Sequence, residues 1–163
     1  MATLIGLCEQ GLLDTIDPLS PHELPWRSLY GTPDFIDWLD RALPTLDHND
    51  LYDDLTPQDQ VFVAFHEYVA GEEFLEDRRF KKLSWTPERF VWEIKTEEVR
   101  VFGWVPHKNA FICCYGDSKD RIETERSYGR YIAQTVYVRD NMDLDEPKLV
   151  RSGALHDVVS NKD

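Results

Sequence analysis

Apolar positions follow a helical period in the front of the chain and a strand period behind it. Leu4, Ile5, Cys8, Leu12 and Ile16 fall roughly on one side of a short helix over 4–16, which Gly6 and Gly11 weaken. Pro18, Pro21, Pro25 and Gly31 make 17–31 a loop, with a short extended piece at 26–30. Thr32-Pro33 supplies an N-cap hydroxyl followed by proline at the first helical position. Phe35, Trp38, Leu39 and Ala42 follow at i, i+3, i+4 and i+7 as one apolar stripe, and Pro44 limits the helix. The Asp-rich stretch 45–55 reads as a loop. Thr56-Pro57 repeats the start signal, with Asp59 in the first turn, where it complements the helix dipole. Val61, Ala64, Phe65, Tyr68 and Val69 then form a helical stripe that Gly71 ends.

Beyond this helix the period shortens. Phe90, Trp92 and Ile94 alternate with Val91, Glu93 and Lys95, and the runs 99–105 and 110–116 are strongly β-prone. The connections 95–98 and 106–109 have hairpin length, so 89–117 is expected to be a three-stranded antiparallel meander. Residues 121–142 fit either period. Ile122, Glu125, Arg126, Gly129, Ile132, Ala133 and Val136 suit a helix, and Tyr131, Ala133, Thr135 and Tyr137 suit a strand; the helix is the favoured reading. Residues 143–163 are polar, carry Pro147 and Gly153, and are expected to fray. The expected class is therefore α+β, with helices packed on one face of an antiparallel sheet. The expected organisation is an acidic, mainly helical extension over 1–55, an α+β domain over 56–142, and a polar tail over 143–163.

Composition sharpens this picture. With 163 residues and 42% hydrophobic side chains, the chain can bury a core of its own. No apolar run is long enough to span a membrane. The first residues carry no basic stretch and do not read as a signal peptide. Three cysteines, two of them adjacent, suit free thiols in a reducing cytoplasm. The net charge is −13, which disfavours sequence-independent nucleic-acid binding by the chain as a whole. The charge is unevenly spread. Residues 1–60 carry 12 acidic and 2 basic side chains, whereas 78–139 carry 13 basic and 8 acidic ones.

Several familiar chemistries fail on their spacing. His66-Glu67 opens like a zinc-protease helix, but the second histidine is replaced by Ala70. Asp47-His48-Asn49-Asp50 opens like a calcium loop, but Tyr52 stands where glycine is needed. Cys113 and Cys114 point to opposite faces of one strand and cannot share an ion, and His107 makes only a weak nucleophile pair with either. No glycine-rich phosphate loop or G-x-S-x-G elbow is present. Neither a metal nor a cofactor is expected.

The element order and several short motifs resemble the RelE/ParE/HigB superfamily of toxin–antitoxin toxins, above all its phage-derived HigB-like branch. Lys81-Lys82-Leu83 matches the family's K-K-L element, and Phe90-Val91-Trp92-Glu93-Ile94-Lys95 its L-W-E-L-R strand. Val99-Arg100-Val101-Phe102-Gly103-Trp104 matches the Y-R-V-F-Y strand, and 110–115 the third strand. Ser118-Lys119-Asp120-Arg121 falls at the basic turn, where the usual F-x-K-K-T-x-x-T-P is interrupted by acids. The resemblance spans about 56–140. It implies a RelE-like meander with helices on one face and an endoribonuclease that cuts mRNA on the ribosome, or a weakened descendant of one. It also implies a cognate antitoxin as partner.

Such cleavage needs a cation at the scissile phosphate together with a general base and acid. Arg100 is the candidate cation. Lys119 and Arg121 are candidates to hold phosphates, and Tyr115 to move a proton. Lys81, Lys82 and Tyr131 are candidates for RNA binding, with Tyr115 or Tyr131 stacking a base. The plainer reading is structural. Arg100 pairs with Glu93 on the neighbouring strand, and Asp117, Asp120, Glu123 and Glu125 neutralise Lys119 and Arg121. The acidic front, with Asp34, Asp37, Asp47, Asp50, Asp53 and Asp54, has three readings. It is a solvated face, a mask over the basic core, or a surface for a basic host protein that imitates a phosphate backbone. The alternative function is thus a non-enzymatic acidic binder that antagonises a nucleic-acid-binding or defence protein.

Overall fold

The computed structural model describes residues 1–49, 54–75, 78–83 and 89–163. Asp50 and Asp53 lie outside the described residues. The chain forms α1 (Leu4–Glu9), β1 (Asp14–Thr15), β2 (Ser28–Gly31), α2 (Pro33–Asp37), α3 (Pro57–Ala70), β3 (Phe80–Lys82) and β4 (Trp92–Lys95). It continues with β5 (Val99–Trp104), β6 (Ala110–Ser118), α4 (Lys119–Glu125), α5 (Tyr128–Asn141) and α6 (Leu155–Val158). The six strands make one sheet in the order β1-β2-β6-β5-β4-β3. β2 runs parallel to β6, and every other pairing is antiparallel.

The two Thr-Pro starts act as the sequence predicts. Thr32 Oγ1 accepts from the Phe35 amide and Thr56 Oγ1 from the Asp59 amide, both at 3.2 Å. α3 ends at Gly71, whose φ of +85° is left-handed. α2 continues into a π-turn over Trp38–Ala42 and a 3₁₀ turn over Leu43–Thr45. The extra residue per turn shifts the buried stripe by one, so Leu43 is buried where the regular period selected Ala42.

The meander forms as expected, but two features of the predicted architecture are corrected. The sheet is mixed rather than purely antiparallel, because the N-terminal segment inserts β2 beside β6. Helices also cover both faces rather than one. Phe111 and Cys113 join a core with Phe35, Leu39, Val61, Phe65 and Tyr68 beneath α2 and α3. Ile112, Cys114 and Trp104 join a second core with Leu4 and Leu7 of α1, and α5 lies on that same face, where Tyr128 and Tyr131 pack on Phe102. The two cysteines therefore do face opposite sides of β6.

The region 121–142 takes the helical alternative, split into α4 and α5 at Arg126, whose φ is +53°. The C-terminal segment does not fray as expected. Val158 and Val159 are buried, and the Val158 carbonyl accepts from the Asn109 amide at 2.9 Å. Arg27 holds the segment from within the core, donating from Nε to the Ser160 carbonyl at 3.0 Å and from Nη2 to Asn161 Oδ1 at 2.8 Å.

Candidate functional site

The face of β4–β6 beneath α5 carries Arg100 and Tyr115, two of the four residues that the sequence selects for catalysis. Register decides which of them meet. Arg100 lies opposite Lys95 and Asp117, and Glu93 lies opposite Lys81 and Phe102, so Glu93 and Arg100 are diagonal neighbours. Phe102 lies opposite Tyr115. On α5, Tyr128 and Tyr131 are i, i+3 neighbours, and both rings pack against Phe102 at centroid distances of 5.7 and 5.1 Å. Tyr115 approaches Tyr131 at 6.0 Å.

Arg100 is 7% exposed. Its Nη1 donates to the Val99 carbonyl at 3.0 Å and to the Thr96 carbonyl, while its Nε has no hydrogen-bond partner among the described residues. The guanidinium thus braces its own hairpin. Glu93 is 2% exposed, and burial pushes its carboxyl up to about 6 against the pull of Arg100, Lys95 and Lys81. Tyr128 stands with this pair; burial and Glu93 push its phenol up, and Arg100 draws it down.

Arg121 is bracketed by carboxylates, with Glu125 Oε2 at 2.9 Å and Asp117 Oδ2 at 3.7 Å. Asp117 also accepts from the Tyr131 hydroxyl at 2.7 Å. Burial and then that bond raise the Tyr131 phenol, and burial raises Tyr115. Lys81 and Lys82 diverge. Lys81 lies opposite Glu93, whereas Lys82 lies opposite Trp92 and its side chain runs over Gly153.

Lys119 starts α4 and lines a groove of about 900 Å³ between the end of α3 and the β4–β5 turn. Arg100 reaches the edge of this groove. Its charge is mixed, since Glu72, Glu73 and Glu97 line it beside Arg78, Lys95 and Lys119. The structure therefore gathers Arg100, Tyr115 and Tyr131 near one face, sets Lys119 and Arg121 at its margin, and sends Lys82 elsewhere.

The acidic candidates Asp34, Asp37, Asp47 and Asp54 are all exposed, as is Asp40. Asp37 pairs with Arg41 at 3.0 Å. The loop that carries Asp47 is pinned to the sheet by Glu98, a residue that the sequence reading does not select. Glu98 Oε1 lies 2.6 Å from His48 Nδ1 and accepts from Gln60 Nε2 at 2.8 Å, and its Oε2 accepts from the Asn49 amide at 2.9 Å. No local period marks such a tie, because its partners are far apart in the chain.

Among the described residues, no group of three or more His, Cys, Asp or Glu side chains could hold a metal ion, and no helix is long and apolar enough to cross a membrane. Comparison with family models, curated proteins and solved structures gives no match.

Proposed function

We propose that this chain is a non-enzymatic acidic binding protein that engages the basic, nucleic-acid-contacting surface of another protein. The state of Arg100 carries the reading. A catalytic cation must reach a phosphate from a solvent-open cleft. Arg100 reaches the groove only at its edge, 7% exposed, with Nη1 turned to two backbone carbonyls. Carboxylates occupy the surroundings, with Glu93 diagonal to Arg100 and Asp117 and Glu125 on Arg121. Those carboxylates weaken the attraction of these cations for a polyanion. The carboxylates of Asp34, Asp37, Asp40, Asp47 and Asp54 are by contrast exposed, on a chain of net charge −13. Spaced acids on a fixed scaffold favour fast, salt-sensitive encounter with a basic surface. All three cysteines are free thiols, in keeping with a partner met in the cytoplasm.

The test is affinity capture from a nuclease-treated extract with the full chain as bait. A second bait carries Asn at 34, 37, 40, 47 and 54. The expected catch is a basic nucleic-acid-binding protein that elutes with salt and is lost from the second bait. Cleavage of mRNA by the purified chain, abolished by Arg100→Lys, would overturn the reading in favour of the endoribonuclease.

A further inference from the structure

α3 is apolar on two sides. Its inner side, Val61, Ala64, Phe65, Tyr68 and Val69, is buried in the core. A helix that packs only inward turns a polar face outward. On α3 the outward positions include Phe62 and Val63, which are 38% and 42% exposed. The apolar surface continues past the helix end. Trp26 is seated on Gly71, where an added Cβ would meet its ring at 2.6 Å, yet it remains 44% exposed. The indole is fixed there, since Nε1 donates to the Ser160 carbonyl at 3.1 Å. Leu24, on the same loop, is 80% exposed. Glu23 holds this loop along α3 through His66, whose Nε2 lies 2.9 Å from Glu23 Oε2.

The result is a broken apolar stripe along α3, with Phe62 and Val63 at one end, Trp26 and Leu24 at the other, and the His66–Glu23 contact crossing it; Phe62 to Gly71 is roughly 14 Å at 1.5 Å per residue. Acids outnumber bases at its margin. Asp59 lies one turn before Val63, Glu67 one turn after it, and Glu72 and Glu73 are exposed at the Trp26 end. Arg79 is held by Glu67 at 2.8 Å, and Lys162 lies beside Gly71. Within the core, Phe65 packs on Phe35 of α2 at 6.4 Å and on Phe62 at 6.1 Å, so Phe62 is anchored from inside.

We propose that this stripe seats a basic amphipathic helix of the partner protein; the inference rests on the acidic-binder reading and locates its apolar anchor. Anchors at i, i+3 or i+4, and i+7 of such a helix span about 10 Å, which the stripe accommodates. Its Lys and Arg side chains meet the acidic margin, and an Arg can lie over the Trp26 ring. Long-range charge gives the encounter, and the fixed Trp26 with Phe62 and Val63 gives the dwell time.

The probe is a fluorescent 18-residue peptide of Leu and Lys arranged as an amphipathic helix. A permuted peptide of the same composition lacks the apolar face. Anisotropy titrations use the wild-type chain, the double variant Leu24→Asp with Val63→Asp, and the chain with Asn at 34, 37, 40, 47 and 54. All altered side chains are exposed, and a thermal melt checks each fold. The expected result is that the permuted peptide binds wild type at least tenfold more weakly. The double variant should lose at least tenfold for the amphipathic peptide although it is more acidic. Binding to the double variant that is unchanged or tighter would overturn the seat. If in that case the Asn chain still loses both peptides, the acidic-binder reading stands without it. If neither peptide binds wild type, both fail.

Discussion

Glu93 and Glu98 are both buried at the β4–β5 hairpin, yet their acidities move in opposite directions. Burial dominates at Glu93 and lifts its carboxyl to about 6. At Glu98 burial also pushes upward, but bonds from the Asn49 amide, His48 and Gln60 outweigh it and hold the carboxyl below its ordinary value. The linkage follows from these signs. A raised folded-state pKa gives stability that is complete below the unfolded value, near 4.5, and is lost as pH rises through about 6. Glu93→Gln should therefore flatten the pH 4.5 to 6.5 limb of a urea-stability profile and stabilise the protein at pH 7 by about 2 kcal/mol. An unchanged limb would show that Glu93 is not the titrating group. Glu98 contributes stability above its unfolded pKa that is lost on acidification through its lowered folded value. Glu98→Ala should cost on the order of 3 kcal/mol at pH 7, because it removes the bonds from His48, the Asn49 amide and Gln60 that tie the loop to the sheet. Its stability loss on acidification should shrink correspondingly.

Elements were legible where the signal was local. α2 and α3 start at Thr-Pro pairs, α3 stops at Gly71, and the meander shows in its strand-forming runs. The run Ala110-Phe111-Ile112-Cys113-Cys114 lacks polar alternation altogether, as a strand covered on both faces must. That was the mark of two-sided packing, and an expectation of helices on one face overlooks it. β1 is two residues long and has no period to detect; β2 overlaps the extended piece expected at 26–30, but its pairing with β6 lies across the chain. The buried pair Val158-Val159 is likewise too short to stand out. The glycines offer a direct contrast at this scale. Gly71→Ala should cost about 2–4 kcal/mol in chemical denaturation, from its left-handed backbone and the clash with Trp26. Gly129→Ala in α5 has nothing within 4 Å of its added Cβ and should raise stability by about 0.5 kcal/mol. Equal effects at the two positions would contradict these assignments.

For the molecule as a whole, the proposed binder is favoured over the endoribonuclease by charge and accessibility. Arg100 and Phe102, two residues apart on β5, share a face of the sheet. What no pattern showed is that α5 closes over that face and that Arg100 turns to backbone carbonyls. Among the described residues, the carboxylates of Asp34, Asp37, Asp40, Asp47 and Asp54 are exposed. A binder of this kind must compete with nucleic acid for the same basic surface, and its competition must weaken as salt rises. The decisive measurement is a displacement titration on the captured partner, bound to a labelled duplex. The account predicts that the wild-type chain releases the duplex stoichiometrically, and that the chain with Asn at 34, 37, 40, 47 and 54 needs at least tenfold more protein to do so. Release that is equal for both chains, or no release by either, would contradict it.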